Sequence, residues 1–358
     1  MFGVAVRTLA VLSLLSILAI FYFIFQESYF AFEHFHPHSI EQFKVDNPAE
    51  VQSLSPEVYP ANPMPTDDGE KDSTEAGQKA SQRVQIVEPT IPEEIPVQLS
   101  DLIFPNDSIS GKEAYTWSPL ASDPKYSIVP LIAGSLKIAA IAIIIAAPIA
   151  ILAAIFTIIY APLWLQRVLK PSIEILAGFP TVVIGFFMLT IVATPLQELT
   201  GAEFRLNALL GGIGVSLAVI PIIYTIAEDA LRAVPHSVYE GALSLGATRW
   251  QTAYRVILPA ALGGVIAAVM LGVGRAIGET MIVLMVTGNA PQLTDSILES
   301  VRTVSATIGA EMGETEFRSV HYGVLFVLGA ALFIVTFIIN AIVEMMVRSR
   351  FLSAMYRG

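Results

Sequence analysis

The chain has 358 residues, of which 54% are hydrophobic and only 14% charged, with a mean hydropathy of +0.66. Soluble domains run nearer a quarter charged, so a chain of this composition lives mostly in lipid. Cysteine is absent, which excludes a disulfide framework, a thiolate metal site and a cysteine nucleophile. The net charge of −11 is concentrated: residues 27–126 hold 18 acidic and 6 basic side chains, a balance of −12, and the remainder is close to neutral.

About 20 consecutive apolar residues can span a bilayer as a helix, which satisfies its own backbone hydrogen bonds where no water is present. The first of six such runs, 4–26, is long, lacks a small-residue cleavage site and ends in the aromatic cluster FYFIF. It is therefore expected to be a retained helix rather than a removed leader.

Residues 27–126 follow as an acidic, Pro-rich insertion, whose stretch LSPEVYPANPMPTDDGEKDSTEAGQKASQRVQIVEPTIPEEIPVQLSD, residues 54–101, is poor in aromatics. Such a segment buries too little apolar surface to offset its ordering entropy, so a mostly extended or disordered tether is expected. Within it, HFHPH sets His34, His36 and His38 at alternating positions. One side of a short strand seldom closes a coordination sphere, and no metal or cofactor is expected.

The remaining spans are read at 127–159, which contains Pro148, then at 173–194, 208–227, 263–287 and 320–346. With the N-terminus inside, the inner side carries Arg7, Arg167, Lys170, Arg232, Arg249, Arg255, Arg348, Arg350 and Arg357, and the short outer loops only Arg205, Arg302 and Arg318. The bias of positive residues toward inner loops then places both termini in the cytoplasm. The sequence shows no GxxxxGK[ST] phosphate loop, no HExxH and no GxSxG elbow, so an enzyme is not expected.

Between the fourth and fifth spans, residues 228–262 contain an amphipathic helix: Val238, Ala242 and Leu245 recur at three-to-four spacing beside Tyr239 and Leu243. Gly246 is placed to end that helix, and Pro259 to mark the next span. The helix either lies on the membrane surface or docks a cytoplasmic partner.

The stretch EGALSLGATRWQTAYRVILP, residues 240–259, resembles the EAA loop of ABC importer membrane subunits. Glu240, Ala242, Gly246, Leu258 and Pro259 fit that pattern, while Gly241 and Val256 depart from it. The stretches WSPLASDPKYSIVPLIAGSL, RVLKPSIEILAGFPTVVIGFF, GRAIGETMIVLMVTGN and RTVSATIGAEMGE, followed by HYGVLF, are similar to phosphate importer permeases of the C type (PstC). The resemblance covers about residues 115–350; the long acidic insertion and Lys137 in the second span depart from it.

That resemblance implies an all-α polytopic protein with six transmembrane helices and the type I ABC importer permease fold, lying in the cytoplasmic membrane. It also implies an A-type permease partner, two ATPase subunits and an extracytoplasmic phosphate-binding protein. By the same resemblance, Glu240, Ala242, Gly246, Ala247, Leu258 and Pro259 are expected to carry coupling to the ATPase, which itself hydrolyses the ATP. Nucleic acid is not an expected partner. The alternatives are an A-type subunit, a permease for another oxyanion such as molybdate, or a membrane sensor, for which the inner loops are too short to hold a signalling domain.

Finally, Arg275 and Glu279 stand four residues apart in the apolar fifth span. On one continuous helix they share a face and partly neutralise each other. Two readings follow: a packing salt bridge inside the bundle, or a translocation path in which Arg275 meets phosphate and Glu279 holds the arginine.

Overall fold

The computed structural model describes residues 22–26, 29, 102–103, 115–119, 121, 125–317 and 319–355, with side chains of the final helix described to Ile342 and at Met345. The expected first span apart from residues 22–26, most of the insertion, and His34, His36 and His38 lie outside the described residues.

A two-stranded hairpin comes first, with β1 (Trp117–Ser118) antiparallel to β2 (Lys125–Tyr126) and Trp117 opposite Tyr126. The helices are α1 (Val129–Ile159), α2 (Leu163–Ala177), α3 (Thr181–Phe187), α4 (Ala193–Thr200), α5 (Ala208–Arg232), α6 (His236–Ser244), α7 (Arg249–Thr252), α8 (Leu258–Ile277), α9 (Met281–Val286), α10 (Val304–Glu311) and α11 (Val320–Met355). Five stretches among the described residues are long and apolar enough to cross a membrane: Val129–Ile159, Thr181–Thr200, Ala208–Arg232, Arg249–Ile277 and Val320–Ile342.

Two spans differ from the sequence reading. The third, expected at 173–194, begins at Thr181 because the chain breaks at Gly178 and Pro180, leaving Leu163–Ala177 as a separate amphipathic helix. The fifth, expected at 263–287, runs from Arg249 to Ile277; Arg249 and Arg255 had masked its first turns.

Both Thr181–Thr200 and Arg249–Ile277 contain a π-helical turn, at Met188–Val192 and Ala253–Ile257. Pro195 and Pro259 each remove the N–H that a carbonyl four residues earlier would take. The helix widens instead, with Ala193 N–H donating to Met188 and Leu258 N–H to Ala253.

The core is built on α1 and α5. Buried Ala139, Ala142, Ala146, Ala150 and Ala154 recur every three or four residues along one stripe of α1, which lets a neighbouring backbone approach closely. Gly212 of α5 sits against Ile141, where an added Cβ would stand 2.3 Å from Cγ2. Buried Tyr224 Oη donates to Thr157 Oγ1 across the pair at 2.9 Å. In turn α8 lies antiparallel on α5, with Gly264 facing Ala230 and Gly272 facing Ile223 and Val219. That register sets Arg275 level with about residue 219, roughly 17 Å from the Ala208 end of α5 and roughly 20 Å from its Arg232 end at ~1.5 Å per residue. The arginine is therefore near the middle of the bundle's depth.

Charge knots close both ends of the bundle. At the Arg232 end, fully buried Glu228 accepts from Lys170 Nζ at 2.8 Å and Arg232 Nε at 2.8 Å. Hydrogen bonds to Asp229 and Glu228 hold the Lys170 ammonium above its ordinary pKa. At the Ala208 end, Glu311 accepts from Trp117 Nε1 at 3.0 Å, from Arg302 Nη2 at 2.6 Å and from His321 Nε2 at 3.2 Å. Burial pushes the Glu311 carboxyl up, but the His321 bond, the Arg302 charge and the Trp117 N–H outweigh it and hold it below its usual value.

Candidate functional site

The fifth span does not run helically through the Arg275–Glu279 pair. Gly278 caps α8, its N–H meeting the Gly274 carbonyl at 3.3 Å, and a new short helix starts at Met281. Arg275 stays on the last turn of α8 and is exposed, whereas Glu279, 6% exposed, turns inward. The Glu279 carbonyl accepts from Ser305 Oγ at 2.7 Å, and its Oε1 lies 3.5 Å from the Ile282 N–H. The expected i,i+4 ion pair is therefore not formed: the helix ends between its two members, and tertiary contact with α10 holds the acid away from the arginine.

Arg275 opens instead onto a groove of about 330 Å³ walled by Ile222 and Ile226 of α5, Leu271 and Gly274 of α8, and Thr336 and Asn340 of α11. No ion pair or hydrogen bond engages the guanidinium among the described residues. An arginine at mid-depth beside isoleucine and leucine walls is weakly screened, so its field reaches an approaching anion strongly. Asn340 was missed from the sequence; its signal was a lone amide in the apolar run TFIINAIV.

The loop between α5 and α8 carries the second set of expected residues. Helix α6 covers Val238, Tyr239, Glu240, Ala242 and Leu243. It ends where Gly246 takes φ +85°, with Gly246 N–H donating to Leu243 O at 2.9 Å and Ala247 N–H to Ala242 O at 3.2 Å. Those two bonds form a Schellman motif, which requires the left-handed residue at this place. Thr248 then opens α7 through a capping box with Gln251. Leu258 and Pro259 begin α8 directly after the π-turn.

None of α6 is buried, Glu240 is exposed beside His236 at 3.2 Å, and Leu245 is 91% exposed at the tip. With Trp250 and Val238 also exposed, the loop presents apolar surface that the rest of the bundle does not cover. The loop thus brings Glu240, Ala242, Gly246 and Ala247 together, and the groove brings Arg275 near Asn340 while leaving Glu279 behind.

Residues 146–351, more than half of the chain, match the family described as the binding-protein-dependent transport system inner membrane component. The chain belongs to this family. A relative in Bacillus subtilis (strain 168), the probable ABC transporter permease protein YqgH, is 39% identical over 222 residues, covering 62% of this chain and 72% of the relative. The phosphate transport system permease protein PstC of Xylella fastidiosa (strain 9a5c) is 33% identical over 251 residues, 64% of this chain and 76% of that protein. Among solved structures, inward-facing MetNI methionine ABC transporter is 19% identical with a TM-score of 0.47, covering 62% of this chain and 93% of the other.

As a family member the chain is a multi-pass, mostly helical inner-membrane transport component and not an enzyme. Family membership brings ATPase subunits and a separate extracytoplasmic binding protein as its working partners.

Proposed function

We propose that this chain is the C-type permease subunit of an ATP-driven phosphate importer of the type I architecture, pairing with an A-type permease to enclose the path. The observation that carries the reading is Arg275: a guanidinium at mid-depth, in a groove between α5, α8 and α11, with no carboxylate to neutralise it among the described residues. A cation so placed suits an anion in transit, because its fork of donors matches phosphate oxygens. Relatives named as phosphate permeases supply the substrate.

The exposed loop around α6 supplies the coupling. Glu240, Ala242, Gly246, Ala247, Leu258 and Pro259 form the surface and hinge on which the ATPase acts, with Leu245 as its apolar tip. Closure of the ATPase pair moves α6 as a rigid element and through the π-turn rotates α8, which alters access to Arg275. In this reading the Arg232 end of α5 and both termini face the cytoplasm, and the acidic segment 27–126 projects outward. Glu279 serves the path by anchoring the break after α8.

Uptake of labelled phosphate by cells whose only phosphate importer contains this chain tests the assignment. Arg275→Leu should abolish uptake while the four-subunit complex still assembles; normal uptake would refute the path role.

A further inference from the structure

We infer that Asn340 is a second ligand-contacting residue of the Arg275 groove, and that its carboxamide favours an oxyanion that still carries a proton. This rests on the reading of the groove as part of an anion path.

Asn340 interrupts an apolar run of α11, and its side chain is exposed into the groove. Among the described residues it makes no hydrogen bond. An amide left without a partner in an apolar setting is unfavourable, and polar groups inside a membrane sit where a cavity, a neighbour or a ligand satisfies them. Gly274 lies beside the amide, where an added Cβ would stand at ordinary contact distance, 3.6 Å from Asn340 Oδ1. Thr336, one turn earlier on the same face, differs in kind. Its hydroxyl donates to the Leu332 and Phe333 carbonyls at 3.0 and 2.9 Å, so its proton is already used. Among the described residues lining the groove, Arg275 and Asn340 are the two whose side chains bring free donors.

The two groups complement each other chemically. Arginine offers donors and no acceptor, whereas a carboxamide offers both. Phosphate near neutral pH retains at least one P–OH, which needs an acceptor; sulfate has none to offer. Asn340 can donate from Nδ2 to a phosphate oxygen and accept the P–OH at Oδ1, and it adds no charge that would retain the anion. The groove's volume of about 330 Å³ equals that of roughly ten waters at ~30 Å³ each, so a partly hydrated anion fits.

The test uses the complete importer in proteoliposomes, with inorganic phosphate, scoring uptake, ATPase activity and subunit stoichiometry. Asn340→Asp is isosteric but puts a carboxylate beside Arg275; uptake should fall at least about tenfold, as for a lost bond to a charged group. Part of that loss should return as the pH is lowered and the new carboxylate is protonated. Asn340→Leu, similar in volume, should lose about two- to tenfold while ATPase stimulation by the binding protein persists. Asn340→Gln, which keeps both donor and acceptor, should retain more uptake than Asn340→Leu. Wild-type uptake by Asn340→Leu, or equal losses in the Asp and Leu variants with no pH recovery, would overturn the inference. Arg275→Leu run in parallel separates the two failures: normal uptake there defeats the path reading itself, whereas an inactive Arg275→Leu with a normal Asn340→Leu defeats only the role of Asn340.

Discussion

Replacing Gly246 isolates one physical effect, because nothing lies within 4 Å of a Cβ built at this position. A substitution there meets no neighbour and feels only its own backbone. The native φ of +85° costs an ordinary L-residue about 1–2 kcal/mol, more when it is β-branched, whereas asparagine visits this region readily. Since 1.4 kcal/mol is a factor of ten, Gly246→Val should depopulate the native turn about 5- to 30-fold. The Schellman bonds from Gly246 and Ala247 would break, and α6 would either fray or run on past Leu245. The expected ranking of uptake is glycine, then asparagine, then alanine, then valine, with membrane insertion unchanged in all four. Labelled phosphate uptake and ATPase copurification on the purified complex measure both arms. Wild-type uptake by Gly246→Val, or an asparagine variant no better than valine, would refute the argument from backbone conformation.

Because Arg275 and Glu279 are not partners, Arg275→Leu with Glu279→Leu should remain as inactive as Arg275→Leu alone, and restored uptake would show that the two charges pair during the cycle. Gly212→Ala forces a Cβ against Ile141 and should destabilise the bundle by about 1–3 kcal/mol. Adding Ile141→Ala should return part of that loss in a thermal melt of the detergent-solubilised protein, and strictly additive losses would contradict the close approach. Glu311, held below its ordinary value, contributes stability that is present above its unfolded pKa and is lost as the pH falls through its lower folded one. Melting temperature should therefore drop in acid below the usual carboxylate range, and Glu311→Gln should flatten that dependence.

The presence of five of the apolar spans, though not the bounds of the third and fifth, and the turn at Gly246 were legible without any structure. Hydropathy over about 20 residues is a local sum, and a glycine that closes an amphipathic helix acts through its own backbone. The EAA-like loop was legible for the same reason, since Glu240, Ala242, Gly246 and Ala247 lie within one helix and its cap. What failed was the inference that four residues of spacing make a pair. That rule needs a continuous helix, and the helix stops at Ile277, where Ser305, 26 positions away, takes the Glu279 carbonyl. The shared groove of Arg275 and Asn340, and the ion pair of Lys170 with Glu228, were equally out of reach, because each joins separate helices whose facing is set by packing. Sequence determined where long apolar segments lie and how the loop turns. Tertiary structure decided which charges are satisfied there, because in a low-dielectric interior a polar group's role depends on what the fold brings within hydrogen-bond reach.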